Sequence, residues 1–484
     1  MTDAPSLHPK GPRLDVLTEI DASCRLPLFV LFLSAAAWLV IGSGFELIAT
    51  IKFHNPNFLA DHAWLTYGRV RPAYLDAVIY GFCLQAGLGV ALWLITRLGR
   101  TAETHPWMIS VGAALFNIGV TLGILGILSG DATGFEIFDF PQYAAVFIFL
   151  GYLMISIRLL VTFHRRRERL LFVSQWFLLA ALFWFPWIYS TAGLLLLSFP
   201  VRGVVQAIIA WWFSNNLLCV WLGLMGLAAI FYFIPKLTNT ELHSRYLALL
   251  TFWFILFFGS WGGIPNSAPV PAWIPALSTV ATVLMIFPII SIALNFYGTL
   301  KEQRVKAASN VPLRFICLGL LGFIVSGLMN VVAVLPSAGD VVSFSWFTVA
   351  RVHANFYGFF SFVMFGAIYY IVPQITGLEF TSPKWVRRHL WIVGLGILLV
   401  VLPLAIGGLV QGLKLRDPNA AFMDISKSTL MFLRASTLGD LLIAFGHIIF
   451  LINLLGVLKR FSEPRALASY AAATANLFHA EAKT

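Results

Sequence analysis

The sequence predicts an all-α polytopic membrane protein of twelve helices, and three observations carry the prediction. Of 484 residues, 59% are hydrophobic and 11% charged, and the mean hydropathy is +0.86. A soluble domain of this length would carry about twice as many charges to hold its surface in water. Apolar runs long enough to cross roughly 30 Å of hydrocarbon as helices recur along the whole chain. Finally, the basic residues cluster in alternate connections between those runs.

The runs cover residues 28–51, 73–96, 108–128, 143–163, 170–195 and 204–234. They continue through 247–263, 273–300, 315–335, 346–372, 390–413 and 430–458. The first is longer than the core of a signal peptide and reads as a retained helix. Residues 1–27 form an N-terminal tail, 28–460 one transmembrane domain and 461–484 a C-terminal tail, Ala-rich beyond Pro464. The connections around 53–72 and 414–429 are the longest with polar content. They read as ordinary loops or as contact points for a partner.

The net charge of +11 does not point to nucleic acid, because its placement is that of a membrane topology. Arg97 and Arg100, then Arg165-Arg166-Arg167 and Arg169, then Lys236 and Arg245 lie in alternate loops. Lys301, Arg304 and Lys306, then Lys384, Arg387 and Arg388, then Lys459, Arg460 and Arg465 continue the series. The positive-inside rule puts both termini in the cytoplasm, as an even helix count requires. Cys24, Cys83, Cys219 and Cys317 lie near the tail or inside apolar runs without a Cys-x-x-Cys-His. Neither a disulfide framework nor covalently attached heme is encoded.

The second helix is preceded by Arg69-Val-Arg71 and opens near Pro72, whose missing N–H suits a first turn. The two arginines can snorkel to the interface, pair with acids or hold heme propionates. The sixth carries Trp211-Trp212 and Asn215-Asn216; amides inside a membrane need partners and should face the bundle interior. The seventh breaks near its end, at Gly259 through Pro265-Asn266 and on to Pro269 and Pro271. The tenth contains Arg351-Val-His353. Positions i and i+2 project about 200° apart on a helix, so these two side chains face opposite sides.

In this order, Gly68-Arg69-Val-Arg71-Pro72, Trp211-Trp212, Tyr232-Phe-Ile-Pro235-Lys236, Trp253 with Trp261, and Arg351-Val-His353 followed by Tyr369-Tyr370-Ile-Val-Pro373 resemble one known family. It is the catalytic subunit I of C-family (cbb-type) cytochrome c oxidases, in the heme-copper oxidase superfamily. The likeness covers nearly the whole chain and implies the twelve-helix subunit I bundle of a bacterial-type cytoplasmic membrane, working in respiratory electron transport beside cytochrome subunits. It also implies where metal ligands should stand. The family's low-spin heme ligand on helix two corresponds to Tyr74, and its helix-six copper histidine to Asn215. The paired copper histidines of helix seven correspond to Pro265 and Asn266, and the cross-linked tyrosine to Gly259. The high-spin heme ligand corresponds to Arg351, and the second low-spin ligand is retained as His353. The glutamate of helix nine corresponds to Ser326.

Asparagine and proline cannot supply the imidazole donors of a copper site. Arginine has no lone pair to give iron. The chain is therefore expected to be a copper-free, high-spin-heme-free relative without oxygen-reducing residues, a scaffold in a respiratory membrane complex, with no cofactor. Two alternatives stay open. One is an electron-transfer subunit with a single heme b on His353, opposed by Tyr74, with Arg69 and Arg71 on its propionates. The other is a transporter or proton pathway reusing the cavity. Arg351 needs a carboxylate or a wet cavity. Glu46, Asp76 and Asp440 fall in the same half of the membrane and are expected either to meet Arg351 as a charge plug or to serve locally. His353 and His447 are the two histidines deep inside apolar runs, and His447 reads as a core histidine.

Overall fold

Among the described residues, twelve apolar helices follow one another in the order the hydropathy pattern gives. The computed structural model describes residues 14–301 and 309–481, with side chains from 16 to 464. Arg304, Lys306 and the Arg465 side chain lie outside the described residues. The helices are α1 (Leu14–Ile51), α2 (Tyr67–Gly99), α3 (Pro106–Ser129), α4 (Gln142–His164), α5 (Val173–Ser198) and α6 (Val204–Thr238). They continue as α7 (Arg245–Trp261), α8 (Trp273–Leu300), α9 (Val311–Val334), α10 (Trp346–Thr376), α11 (Pro383–Leu415) and α12 (Phe422–Glu481). Among the described residues, eleven are long and apolar enough to span a membrane; α7 is the shorter one. Its α-helical part stops at Phe257, a 3₁₀ turn covers Gly259–Trp261, and irregular chain follows. The expected break is where the glycines and prolines put it.

Expected boundaries move at α1, at α2, which begins at Tyr67 with Pro72 inside it, between α11 and α12, and at the end of α12, which runs to Glu481. α1 begins at Leu14, so half of the expected tail is helix. The cause is docking of its polar turns: Asp21 meets Arg97 at 3.0 Å and Trp93 Nε1 at 3.2 Å, and Arg25 donates to the Ile375 carbonyl at 2.7 Å. The expected loop at 414–429 shrinks, because α11 continues to Leu415 and α12 resumes at Phe422.

Burial sorts the helices into two layers. The most apolar stretch of α2 is 100% buried, and those of α6 and α10 are 89% buried, against 33–56% for the other spans. A helix hydrophobic all round belongs inside, and these three form the inner layer. α1, α11 and α12 pack as a group against α10. Glycine sets how closely α9 meets α10: a Cβ on Gly322 would lie 2.0 Å from the Gly358 carbonyl, so the backbones touch. Arg97, Arg25 and Arg460 meet at one end, reaching α1 and the carbonyls of Ile375 and Glu379. The site described next lies toward the opposite end.

Candidate functional site

α10 starts at a cap, with Ser345 Oγ accepting from the Phe347 amide at 3.3 Å. Its α-helical turns end at His353, and a π-helical stretch, Ala354–Ser361, follows. Such widened turns occur mostly at functional positions, because they re-aim the side chains they carry.

On one face of α10, His353 Nε2 lies 2.8 Å from Glu46 Oε1, and Tyr357 Oη donates to Glu46 Oε2 at 2.6 Å. His353 Nδ1 lies 2.8 Å from the Val349 carbonyl, which can only accept, so Nδ1 carries a proton. The three side chains are buried, and Glu46 reaches across from α1. Tyr74 leans on the same imidazole, with ring centroids 6.4 Å apart. A cleft beside them is lined by Arg71, Tyr74, His353, Ser436 and Asp440, and its volume of about 20 Å³ suits one water.

Arg351 faces the other way, as the i, i+2 spacing demands. Its electrostatic neighbours are Cys219 of α6 and Glu136. Among the described residues it forms no ion pair, and Glu46, Asp76 and Asp440 do not meet it. The expected charge plug is not assembled, because Glu46 on α1 and Asp440 on α12 stand on the His353 side of α10. Nor does Glu46 serve locally at its helix end; its carboxyl bridges two residues of α10.

The other singled-out residues are absorbed by backbone. Asn215 donates to the Gly259 carbonyl at 2.8 Å, and Asn216 to Trp212 and Ser260 at 2.9 and 3.0 Å. The paired amides thus hold the broken end of α7 against α6. Asn266 donates to the Val334 carbonyl at 3.2 Å and accepts from Thr279 at 2.7 Å, while Pro265 accepts the Ala268 amide at 3.1 Å. Among the described residues, no group of three or more His, Cys, Asp or Glu side chains converges as a metal site.

Arg69 donates to the Leu128 carbonyl at 3.1 Å, and Arg71 pairs with Glu136 at 2.6 Å, so neither meets Asp76. Both sit on the first turn of α2 and reach outward to the α3–α4 connection. Asp76 lies deeper, fully buried beside Asp139, whose backbone amide is the nearest donor to its carboxyl. The Asp139 carboxyl is pushed up to about 7, mainly by burial and next by Glu136, against the Ile137 amide and Arg71. The folded chain then binds this proton more tightly than the unfolded chain. Stability from this group is full below about pH 4 and is lost as pH rises through about 7. Asp139→Asn is expected to flatten that part of the stability profile. Thermal unfolding of both proteins at a series of pH values tests it, and parallel profiles would refute it.

The family model described as "Cytochrome C and Quinol oxidase polypeptide I" matches residues 27–442. The chain belongs to that family. Among similar relatives of this oxidase family chain is a protein of Azorhizobium caulinodans, "Cytochrome c oxidase subunit 1 homolog". It is 25% identical over 418 residues, covering 83% of this chain and 75% of that protein. The "Cytochrome c oxidase subunit 1 homolog, bacteroid" of Bradyrhizobium diazoefficiens is 24% identical over 396 residues, 79% of this chain and 72% of its own. The "Cbb3-type cytochrome c oxidase subunit CcoN1" of Stutzerimonas stutzeri is 22% identical over 394 residues, 79% and 82% of the two chains.

A heme of this family held between Tyr74 and His353 needs a bare imidazole lone pair and room for a macrocycle. Both nitrogens of His353 are already engaged, the second by the Glu46 carboxyl. The cleft between the two rings takes about one water. These residues in this arrangement do not fit the group. Sequence reasoning named Glu46 and His353 separately but missed Tyr357, whose signal was its i+4 spacing from His353.

Proposed function

We propose that this chain is a subunit I-type membrane protein that does not reduce oxygen and acts as a cofactor-free structural subunit of an electron-transfer complex in a bacterial-type cytoplasmic membrane. The observation that carries the reading is the Glu46 carboxyl on His353 Nε2, in the direction an iron would need. Arg351, where the resemblance puts the high-spin heme ligand, adds a permanent charge that repels iron. Asn215, Pro265 and Asn266, at the positions of the copper ligands, hold backbone instead. A pyridine hemochrome spectrum with elemental iron and copper on the purified chain tests this. Both metals are expected well below one per chain. Stoichiometric copper would refute the reading.

One observation favours a second reading. His353 Nδ1 bonded to the Val349 carbonyl is the contact that orients an axial imidazole, and Tyr74 stands across from it. About one heme per chain, lost in His353→Ala, would establish a single-heme electron-transfer subunit in place of the first reading.

Both termini lie in the cytoplasm in this proposal, on the side where Arg97, Arg165, Arg245, Arg388 and Arg460 gather. A phosphatase domain fused after Thr484 is expected to be inactive, and a fluorescent domain there bright. The opposite pattern would invert the topology.

A further inference from the structure

On α10 the positions 353, 357, 361, 365 and 369 recur every fourth residue, a stripe about 24 Å long, close to the hydrocarbon thickness. Buried polar groups follow this stripe from both ends. From the cleft, Glu46 joins His353 to Tyr357. Ser43 lies against the Tyr357 hydroxyl and 2.6 Å from His447 Nδ1. Toward the basic end, Asn453 donates to Tyr369 Oη at 3.1 Å, and that hydroxyl lies 3.0 Å from His389 Nδ1.

The two strings meet at His389 of α11 and His447 of α12. Both are 0% exposed and within electrostatic range of each other. Phe365 packs on both rings, with centroids at 4.7 and 5.8 Å. A Cβ on Gly446 would meet Val393 Cγ2 first and then His389 Cδ2, at 3.6 Å, so the His389 ring packs beside the turn that carries His447. Each ring has an Nε2 with no hydrogen-bond partner.

Counting protons fixes what each Nε2 offers. We assign the single proton of Ser43 to the Leu39 carbonyl at 2.8 Å, which makes His447 Nδ1 the donor to Ser43 at 2.6 Å. The neutral His447 ring then has a lone pair at Nε2. Tyr369 receives from Asn453, and its own proton has one acceptor, His389 Nδ1. The neutral His389 ring then carries N–H at Nε2. One buried donor and one buried acceptor are left on these neighbouring rings, and each is costly if unmet. A single water satisfies both. A metal bridging the rings would need two lone pairs, and the count gives one.

We propose that His389 and His447, joined through one water, complete a proton relay from the Glu46 cleft to Asn453. This goes beyond the structural role above and does not depend on whether heme is bound. In one passage Tyr369 gives its proton to His389 Nδ1 and is reprotonated from the basic end. His389 Nε2–H passes to the water, and the water gives a proton to His447 Nε2. His447 Nδ1–H passes to Ser43, whose own proton moves to Tyr357; the proton of Tyr357 reaches Glu46 Oε2 as Glu46 gives its Oε1 proton to His353 Nε2, at the cleft. One proton enters and one arrives, both rings exchange tautomers, and reorientation resets them. Asn453 lies about 9 Å of helix before Lys459, the stretch over which solvent completes the path.

The full chain, reconstituted in liposomes under a potassium–valinomycin potential with an internal pH dye, tests the relay. Proton flux is expected several-fold above protein-free liposomes. It should fall to that background in His389→Phe and in His447→Phe, whose rings suit the pocket of Phe365 and Phe450. In ¹⁵N-histidine solid-state NMR, the signal lost with His389→Phe should be an Nε2-protonated ring and that lost with His447→Phe an Nδ1-protonated ring. Native flux equal to protein-free liposomes would overturn the relay without any variant. The opposite tautomer on either ring, or undiminished flux in a monodisperse variant, would also overturn it.

Discussion

Glu46→Ala is expected to destabilise the detergent-solubilised protein by about 2–6 kcal/mol, because two buried groups lose their partner at about 1–3 kcal/mol each. His353 Nε2 and Tyr357 Oη both close on this one carboxyl, and both side chains are buried. The cleft beside His353 takes about one water, which cannot replace both carboxyl oxygens. Glu46→Gln is the informative control. Its amide oxygen accepts from Tyr357 and its NH₂ donates to the neutral imidazole, so both hydrogen bonds survive. A loss below about 1 kcal/mol is expected, since a neutral buried network tolerates an isostere that keeps every bond. Apparent melting temperatures of the three proteins, followed by intrinsic tryptophan fluorescence, separate the cases. If Glu46→Ala melts with the native protein, the bridge contributes nothing and the explanation of how α1 is held to α10 fails.

What the sequence made legible here follows from how membranes write sequence. Length and hydropathy are imposed by the bilayer on every span, so the twelve helices could be placed, and the glycines and prolines that end α7 were read correctly. Helix ends were less legible. The polar residues Asp21 and Arg25 look like tail until their partners, Arg97 and the Ile375 carbonyl, are known. Facing is legible within one helix and not between helices. The opposition of Arg351 and His353 follows from 3.6-residue periodicity, but nothing in the chain says which of them meets Glu46. Depth alone put Glu46, Asp76 and Asp440 together with Arg351; azimuth separates them. His389 was missed because Arg387-Arg388 made it look interfacial, whereas in the bundle its ring turns inward, stacked on Phe450 at 5.4 Å.

The same distinction between depth and partner governs the basic end, where Glu103→Ala is expected to cost about 3–5 kcal/mol. Glu103 was invisible as a site residue: one acid in a short polar loop ordinarily faces solvent. Here its side chain is fully buried and pairs with Arg158 of α4, itself 8% exposed. Thr162 donates to the second carboxyl oxygen, the His105 amide donates to the first at 2.9 Å, and Thr104 takes another Arg158 proton at 3.1 Å. Removing the carboxylate strands a guanidinium whose Nε already has no partner among the described residues. The cost belongs to the stranded charge and not to the attraction, so removing both charges should cost far less than removing one. Glu103→Leu with Arg158→Met is therefore expected to recover most of the loss in the same melting assay. A double variant as unstable as Glu103→Ala would mean that the loop, held also by the Glu103 amide on Ser23 at 2.9 Å, needs the carboxylate for its shape.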